Sequence, residues 1–301
     1  MIRIKSRVKP LIFTLVILSF LTACKNIPDQ HLYTGNITEK QLIDGITFLG
    51  EPLNDSDLPE ENVMKLTPEM ETFLKENVLN AKGTRRKAIQ LSKAIFHEDL
   101  LGLVYDPRMT LTADQAFKFR VANCLAFSYL YSSLAKKAGL KVRFQEVHLM
   151  PEWDYSENEI FVENRHVNVR VDLSNREDLV VDINKATLDD HIDFTILDDD
   201  HVIALYYGNV AAEYLLKGDH EKAYKYSVKA INTDPDEAAF WTNLGVLFRR
   251  AGNVDLAEKA YFVALSHDGE NKASLNNLST LYLDAGDEVR SAYYGDMVKK
   301  Y

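Results

Sequence analysis

The chain has 301 residues, of which 35 are basic and 45 acidic, so its formal net charge is −10 at neutral pH. This length is sufficient for two modest domains, each with a hydrophobic core of its own. Because an acidic chain is repelled by the phosphate backbone, the composition argues against nucleic acid as a partner.

The first 23 residues have the pattern of a secretory signal. A basic start is followed by an apolar run from Leu11 to Leu21. This run is shorter than the roughly 20 apolar residues of a transmembrane helix, and such a pattern is typical of a cleaved signal peptide. It ends in Leu-Thr-Ala-Cys, which resembles the lipobox of bacterial lipoproteins. The resemblance implies that Cys24 is acylated and then becomes the first residue of the mature chain; the alternative is an ordinary signal peptide with a cysteine beside its cleavage site.

Acylation of Cys24 would anchor the protein by lipid in the bacterial cell envelope. Several acyl chains hold a protein at a membrane, because each buried methylene contributes about 0.8 kcal/mol. In lipoproteins of this kind an aspartate after the cysteine favours the inner membrane, so Lys25 favours the periplasmic face of the outer membrane in a Gram-negative host. Residues 24–62 contain three prolines and many acidic residues and asparagines, which predicts a tether and a poorly defined entry segment.

Four helices are predicted after the tether. Thr67-Pro68-Glu69 combines a hydroxyl cap, a proline at the first helical position and an acid near the positive end of the helix dipole. Thr112 begins a capping box, and Asn123 is a plausible cap for a helix that Gly139 would end. The predicted helices cover about 68–80, about 84–97, a short segment after Thr112, and about 123–139.

The hydrophobic pattern then changes to the alternation of β-strands. It predicts strands at 141–147, 166–171 and 179–183, with a polar loop over 150–164. Helices followed by an antiparallel sheet indicate an α+β domain, placed at 63–202.

The last third of the chain repeats with a period of 34 residues. Gly218, Gly252 and Gly286 are 34 residues apart, as are Ala223 and Ala257. This pattern resembles the tetratricopeptide repeat, whose signature is nearly complete in the middle copy at Trp241, Leu244, Gly245, Phe248, Ala257, Tyr261 and Ala264. The resemblance implies a C-terminal all-α solenoid over 203–301 that binds a protein or peptide partner. Its three copies would lie at about 204–237, 238–271 and 272–301.

Cys124 is the remaining thiol once Cys24 is assigned to lipid. At a helix start, the unpaired N–H groups and the dipole favour the thiolate, the nucleophilic form of cysteine. Such a nucleophile needs a base and a group that orients the base. His166 begins one predicted strand and Asp182 lies at the end of the next, and adjacent strands can hold both on one face.

Each of these three assignments has an alternative. Cys124 could be an inert buried cysteine, because free cysteine is among the most buried residue types. His166 could be a solvated strand residue, with His148 as the second candidate for the base. Asp182 could cap a turn, although a carboxylate in an otherwise apolar run is costly without a partner.

Residues 103–184 resemble the transglutaminase-like, papain-related fold. The resemblance rests on Tyr105 before a polar loop, on Asn123-Cys124 at a helix start, and on His166 and Asp182 at strand ends. It implies an α+β papain-like core in which Cys124 is the nucleophile, His166 its base and Asp182 the group that holds the imidazole tautomer. The backbone N–H of Cys124 would supply part of an oxyanion hole.

Two positions depart from the family pattern. Ala122 stands where a glycine is frequent, and Asn168 stands where an aromatic residue is frequent. The implied function is a membrane-anchored thiol enzyme that hydrolyses amides or transfers acyl groups; the alternative is an inactive lipoprotein scaffold whose repeats bind protein. No cofactor or metal is expected, because the histidines lack the His-x-x-x-His spacing and no glycine-rich loop follows a strand.

Overall fold

The computed structural model describes residues 37–148, 154–155, 161–162, 166–173, 177–184 and 193–300. The signal sequence, Cys24 and residues 25–36 of the tether lie outside the described residues. Within the described ranges, no helix combines the length and the apolar character that crossing a bilayer requires. The described part has an α+β architecture with a small antiparallel sheet and a C-terminal stack of helices.

Residues 37–62 differ from the predicted tether, because they fold onto the C-terminal helices. They contain α1 (Glu39–Ile43), α2 (Ile46–Leu49) and a 3₁₀ turn at Asp55–Asp57. Leu42 of α1 is fully buried, and the hydroxyl of Tyr224 donates a hydrogen bond of 2.9 Å to its carbonyl. A few apolar residues without regular spacing carry this packing, and hydrophobic periodicity does not reveal such a segment.

The four helices predicted after this segment are present. The Thr67 hydroxyl accepts a hydrogen bond from the Met70 N–H at 3.3 Å, and the Asn123 side chain accepts one from Ala126 at 2.8 Å. The last helix ends before Gly139, whose φ of 77° is the left-handed conformation that glycine adopts readily. Their bounds are Pro68–Asn77 (α3), Thr84–Phe96 (α4), Ala113–Phe119 (α5) and Cys124–Lys137 (α6).

The main sheet has four antiparallel strands in the order β7-β6-β3-β8. β3, β6 and β7 match the three predicted strands, whereas the four residues of β8 are too few for their alternation to be recognised. Among the described residues, four further strands of two residues each form two separate pairs. β1 pairs with β2 in parallel, and β4 pairs with β5 in antiparallel orientation inside the predicted loop. The bounds are Val104–Tyr105 (β1), Val121–Ala122 (β2), Val142–Val147 (β3), Asp154–Tyr155 (β4), Phe161–Val162 (β5), His166–Leu173 (β6), Glu177–Val181 (β7) and Phe194–Leu197 (β8).

The core of the α+β part lies between α6 and the sheet. Side chains 125–135 of α6 are buried without interruption. Phe144 of β3 and Val169 of β6 are opposite each other in the sheet and are also buried. The Ser128 hydroxyl on α6 lies 3.2 Å from the carbonyl oxygen of Val167 on β6, so the start of the helix is held against the start of that strand.

The C-terminal stack consists of six helices that form three antiparallel pairs. At the crossing of the middle pair, a Cβ atom added to Gly245 would lie 2.5 Å from the ring of Tyr261. The small residue is therefore required for this close approach, as the repeat pattern predicts, and the stack is consistent with tetratricopeptide repeats. The bounds are Asp199–Leu216 (α7), His220–Thr233 (α8), Ala238–Arg250 (α9), Val254–His267 (α10), Lys272–Asp284 (α11) and Glu288–Lys300 (α12).

The sheet and the helical stack are joined directly. β8 ends at Leu197 and α7 begins at Asp199, so a single residue separates them. The hydroxyl of Tyr129 on α6 donates a hydrogen bond of 2.6 Å to the carbonyl of Val202 on α7. Lys136 forms an ion pair with Asp199 at 2.8 Å. All described residues accordingly belong to one compact unit.

Candidate active site

Cys124 is the first residue of α6 and is partly exposed. The chain reaches it through Arg120, which adopts a left-handed conformation with a φ of 58° that is uncommon for a residue other than glycine. The short strand β2 follows and is held by β1, with a hydrogen bond of 3.0 Å from the Asp106 N–H to the carbonyl of Ala122. This arrangement presents the thiol at the N-terminus of a buried helix.

His166 and Asp182 form a buried pair at the end of the sheet nearest to this helix. The Nε2 atom of His166 lies 2.6 Å from Oδ2 of Asp182. Their side chains are 8% and 0% exposed, so the interaction is shielded from water. Asp182 directly follows the last residue of β7, and His166 is the first residue of β6. The structure therefore brings together two residues that are 16 positions apart in the sequence.

The His166 imidazole also hydrogen-bonds with the side chain of Cys124. Because Nε2 is engaged by Asp182, Nδ1 is the nitrogen left for the thiol. Burial disfavours the imidazolium, but the hydrogen bonds to Asp182 and Cys124 and their negative charges outweigh it and raise the pKa of His166 to about 9. The three residues thus form one continuous chain of hydrogen bonds.

Asp182 accepts two further hydrogen bonds besides the one from His166. The side-chain amide of Asn168 donates to Oδ2 at 2.9 Å, and the backbone N–H of Asn184 donates to Oδ1 at 2.8 Å. These donors stabilise the carboxylate in a site from which water is excluded. Asp182 therefore caps the turn that begins with it through Oδ1, as the alternative interpretation predicted, and through Oδ2 it also belongs to a buried polar network with His166 and Asn168.

Asn168 is the member of this network that sequence reasoning did not identify. It was singled out as a departure from a family pattern, whereas the structure shows it as a donor to Asp182. Val169 pairs with Val181 in the sheet, so the preceding residue of β6 lies opposite the residue that follows β7. The period of two along β6 places Asn168 on the same face as His166, and this was the available signal.

His148, the alternative base, lies outside this network. It follows β3, is exposed, and its Nε2 lies 2.8 Å from the hydroxyl of Thr195 on β8. Val147 pairs with His166, and successive side chains of a strand point to opposite faces. His148 therefore belongs to the face opposite His166.

Tyr105 lies at the exposed side of the site. Its side chain is 44% exposed, and the residue pairs with Ala122 in the β1–β2 ladder beside Cys124. Burial of the phenol, together with the negative charges of Cys124, Asp182 and Asp106, raises the pKa of Tyr105 above its ordinary value. The phenol accordingly remains a hydrogen-bond donor at neutral pH.

The arrangement can support nucleophilic chemistry at sulfur. A thiol at a helix N-terminus, a base bonded to it and a carboxylate that orients the base are the parts that such chemistry needs. Among the residues that the structure describes, no cluster of three or more histidine, cysteine or acidic side chains could hold a metal ion.

No protein-family model matches the chain. The chain is similar to the heat shock protein sti1 homolog of Schizosaccharomyces pombe, with 33% identity over 75 residues. The match covers 25% of this chain and 13% of that protein, so the chain spans a small part of its relative's length. That relative contains tetratricopeptide-type repeats, which is consistent with the helical stack at the C-terminus.

Proposed function

We propose that the protein is a thiol enzyme of the transglutaminase-like type that hydrolyses amides or transfers their acyl groups. The observation that carries the proposal is the buried contact of 2.6 Å between His166 and Asp182, continued by the hydrogen bond between His166 and Cys124. A helix that presents its first residue to an antiparallel sheet, with the base and its partner at strand ends, is the arrangement that the family resemblance implies.

In the proposed reaction, Nδ1 of His166 holds the proton taken from the Cys124 thiol, as the raised pKa of the imidazole favours, and the thiolate Sγ attacks the carbonyl carbon of an amide. The C–N bond breaks, the amine leaves with the proton returned by His166, and a thioester remains on Cys124. Water or a second amine then attacks the thioester, which yields a carboxylic acid or a new amide and restores the thiol. The backbone N–H of Cys124 would bind the oxyanion of each tetrahedral intermediate.

The same proposal assigns a role to each end of the chain. Lipid on Cys24 would hold the enzyme in the cell envelope, and the repeats would bind a protein partner or the substrate protein. The helical stack and the repeat-containing relative support protein binding. They equally favour the second candidate function, a lipid-anchored scaffold in which Cys124 has no catalytic role.

Alkylation of Cys124 distinguishes the two functions. The mature chain with Cys24→Ser has Cys124 as its single thiol, so the rate with iodoacetamide at several pH values reports on this residue alone. In the enzyme, alkylation at pH 6.5 should be more than about tenfold faster than for an ordinary thiol, whose pKa is about 8.5.

Two histidine variants make this measurement specific. His166→Ala should abolish the advantage, whereas His148→Ala, which removes an exposed imidazole on the other face, should leave it unchanged. A wild-type thiol that reacts only near pH 9 would exclude the enzyme and favour the scaffold.

A further inference from the structure

We propose that Asn168 is a positioning residue of the proposed thiol chemistry, because its amide holds the Asp182 carboxylate in the orientation that His166 requires. The inference rests on the proposed function and adds to it a residue that the family pattern does not contain.

Two donors converge on one oxygen atom of Asp182. Nδ2 of Asn168 lies 2.9 Å from Oδ2, and Nε2 of His166 lies 2.6 Å from the same atom. Oδ1 is bonded to the backbone N–H of Asn184 at 2.8 Å. The backbone contact alone would allow the carboxylate to turn about its bond to Cβ, whereas the added amide fixes the plane in which Oδ2 meets the imidazole.

The surroundings of Asn168 indicate that packing alone does not explain this residue. Its side chain is fully buried, yet its Oδ1 atom has no hydrogen-bond partner among the described residues. An unsatisfied buried acceptor destabilises a protein, and an apolar side chain of similar size would avoid this destabilisation. The amide is therefore best explained by its other end, which donates to Asp182.

This donor acts on the thiol through two other residues. A carboxylate that accepts several hydrogen bonds is stabilised in its ionised form and accepts the Nε2–H of a histidine. The histidine tautomer with its proton on Nε2 leaves the Nδ1 lone pair free to take the thiol proton. Loss of the Asn168 amide should thus reduce the reactivity of Cys124, and the effect would be transmitted through Asp182 and His166.

The test is the pH profile of Cys124 alkylation in the mature chain with Cys24→Ser. Asn168→Leu removes the donor and should slow alkylation at pH 6.5 by roughly 10- to 100-fold, as expected for one hydrogen bond to a charged group. Asn168→Asp has the same shape. Its protonated carboxyl can donate to Asp182, and its ionised form repels Asp182, so alkylation should be restored at acidic pH and lost as pH rises.

The matched control is Gln145→Leu. Gln145 is a buried amide opposite Asn168 in the sheet, and its Oε1 atom accepts a hydrogen bond of 2.7 Å from Arg170 instead of contacting Asp182. This variant should keep the wild-type pH profile even if it lowers stability. A structural role of Asn168 would produce the same response at both positions.

The outcomes separate this inference from the proposed function. If the wild-type thiol is not activated, the proposed function itself fails. If the wild-type thiol is activated and the pH profile of alkylation in Asn168→Asp is the same as in the wild type, only the role of Asn168 is overturned. Should Asn168→Leu fail to fold, which circular dichroism would show, the isosteric Asn168→Asp decides the question.

Discussion

The α+β part and the helical stack bury their polar side chains in different ways. In the stack, buried hydroxyls pair between neighbouring helices, as Thr242 and Ser274 do at 2.7 Å. In the α+β part, His166, Asn168 and Asp182 come from two strands and converge beside a partly exposed thiol. Local pairs serve the packing of repeated elements, whereas convergence of ionisable groups next to an opening is the usual sign of a site.

The largest predicted effect tests whether the two parts are separate modules. Trp241 is 1% exposed in the stack, and Trp241→Ala should lower the free energy of unfolding by about 3–5 kcal/mol. Because α7 is packed directly against α6, the two parts should unfold together. The loss in free energy measured from hydrogen exchange of the α6 amides should then equal the loss measured from urea unfolding followed by circular dichroism. Val289→Ala, at a side chain that is 75% exposed, is the control and should change little. Loss of the stack with α6 still protected would show two independent units.

The second prediction concerns pH and the polar network of the α+β part. The pKa of His166 is raised to about 9 in the folded protein, against an ordinary value of 6.5. A raised histidine pKa adds stability that is complete below pH 6.5 and is lost as pH rises towards 9. The free energy of unfolding, measured by urea denaturation, should therefore fall over this window by at most about 3 kcal/mol. His166→Gln should flatten the dependence, and a wild-type midpoint that rises with pH would contradict the assignment.

The third prediction tests close packing in the stack. A Cβ atom at position 245 would lie 2.5 Å from the Tyr261 ring, so Gly245→Ala should destabilise the protein by about 1–3 kcal/mol through overpacking. Gly269→Ala is the matched control, because the nearest atom to its added Cβ, the carbonyl oxygen of Leu265, is 3.8 Å away. Equal thermal shifts for the two variants would mean that α9 and α10 do not cross as closely as described.

The smallest effect compares the same local interaction in both parts. Asn123 caps α6 and Asn271 caps α11, and each side-chain oxygen accepts a hydrogen bond of 2.8 Å from a backbone N–H of the first turn. Replacing either by alanine should reduce stability by about 1 kcal/mol. Asn123→Ala should also change the alkylation rate of Cys124, since the cap precedes the thiol, whereas Asn271→Ala should not. If both variants alter alkylation equally, the thiol senses global stability only.

The sequence was most informative where contacts are local. The repeat period of 34 residues and the caps at Thr67 and Asn123 predicted their helices, because each signal depends on residues close together in the chain. The short strand β8 and the segment 37–62 were missed, because their partners lie far away in the sequence and their apolar residues show no period.

The candidate site was predictable to a lesser extent. Cys124, His166 and Asp182 were grouped by a family resemblance, and the structure brings them together, while their chemistry remains a prediction. The contribution of Asn168 depends on the register between β6 and β7. The period of two along β6 indicates that Asn168 shares a face with His166, but its contact with Asp182 depends on the partner strand, and a one-residue slip would remove that contact.

The single-residue junction between β8 and α7 has a consequence for any protein held by the repeats. Two sites joined by a flexible linker can lie at many different distances, and the length of the linker sets the effective concentration of one site at the other. Here the distance from the repeats to Cys124 is set by packed secondary structure. In a protein bound by the repeats, Cys124 would then react only with groups that lie at one fixed distance from the bound segment.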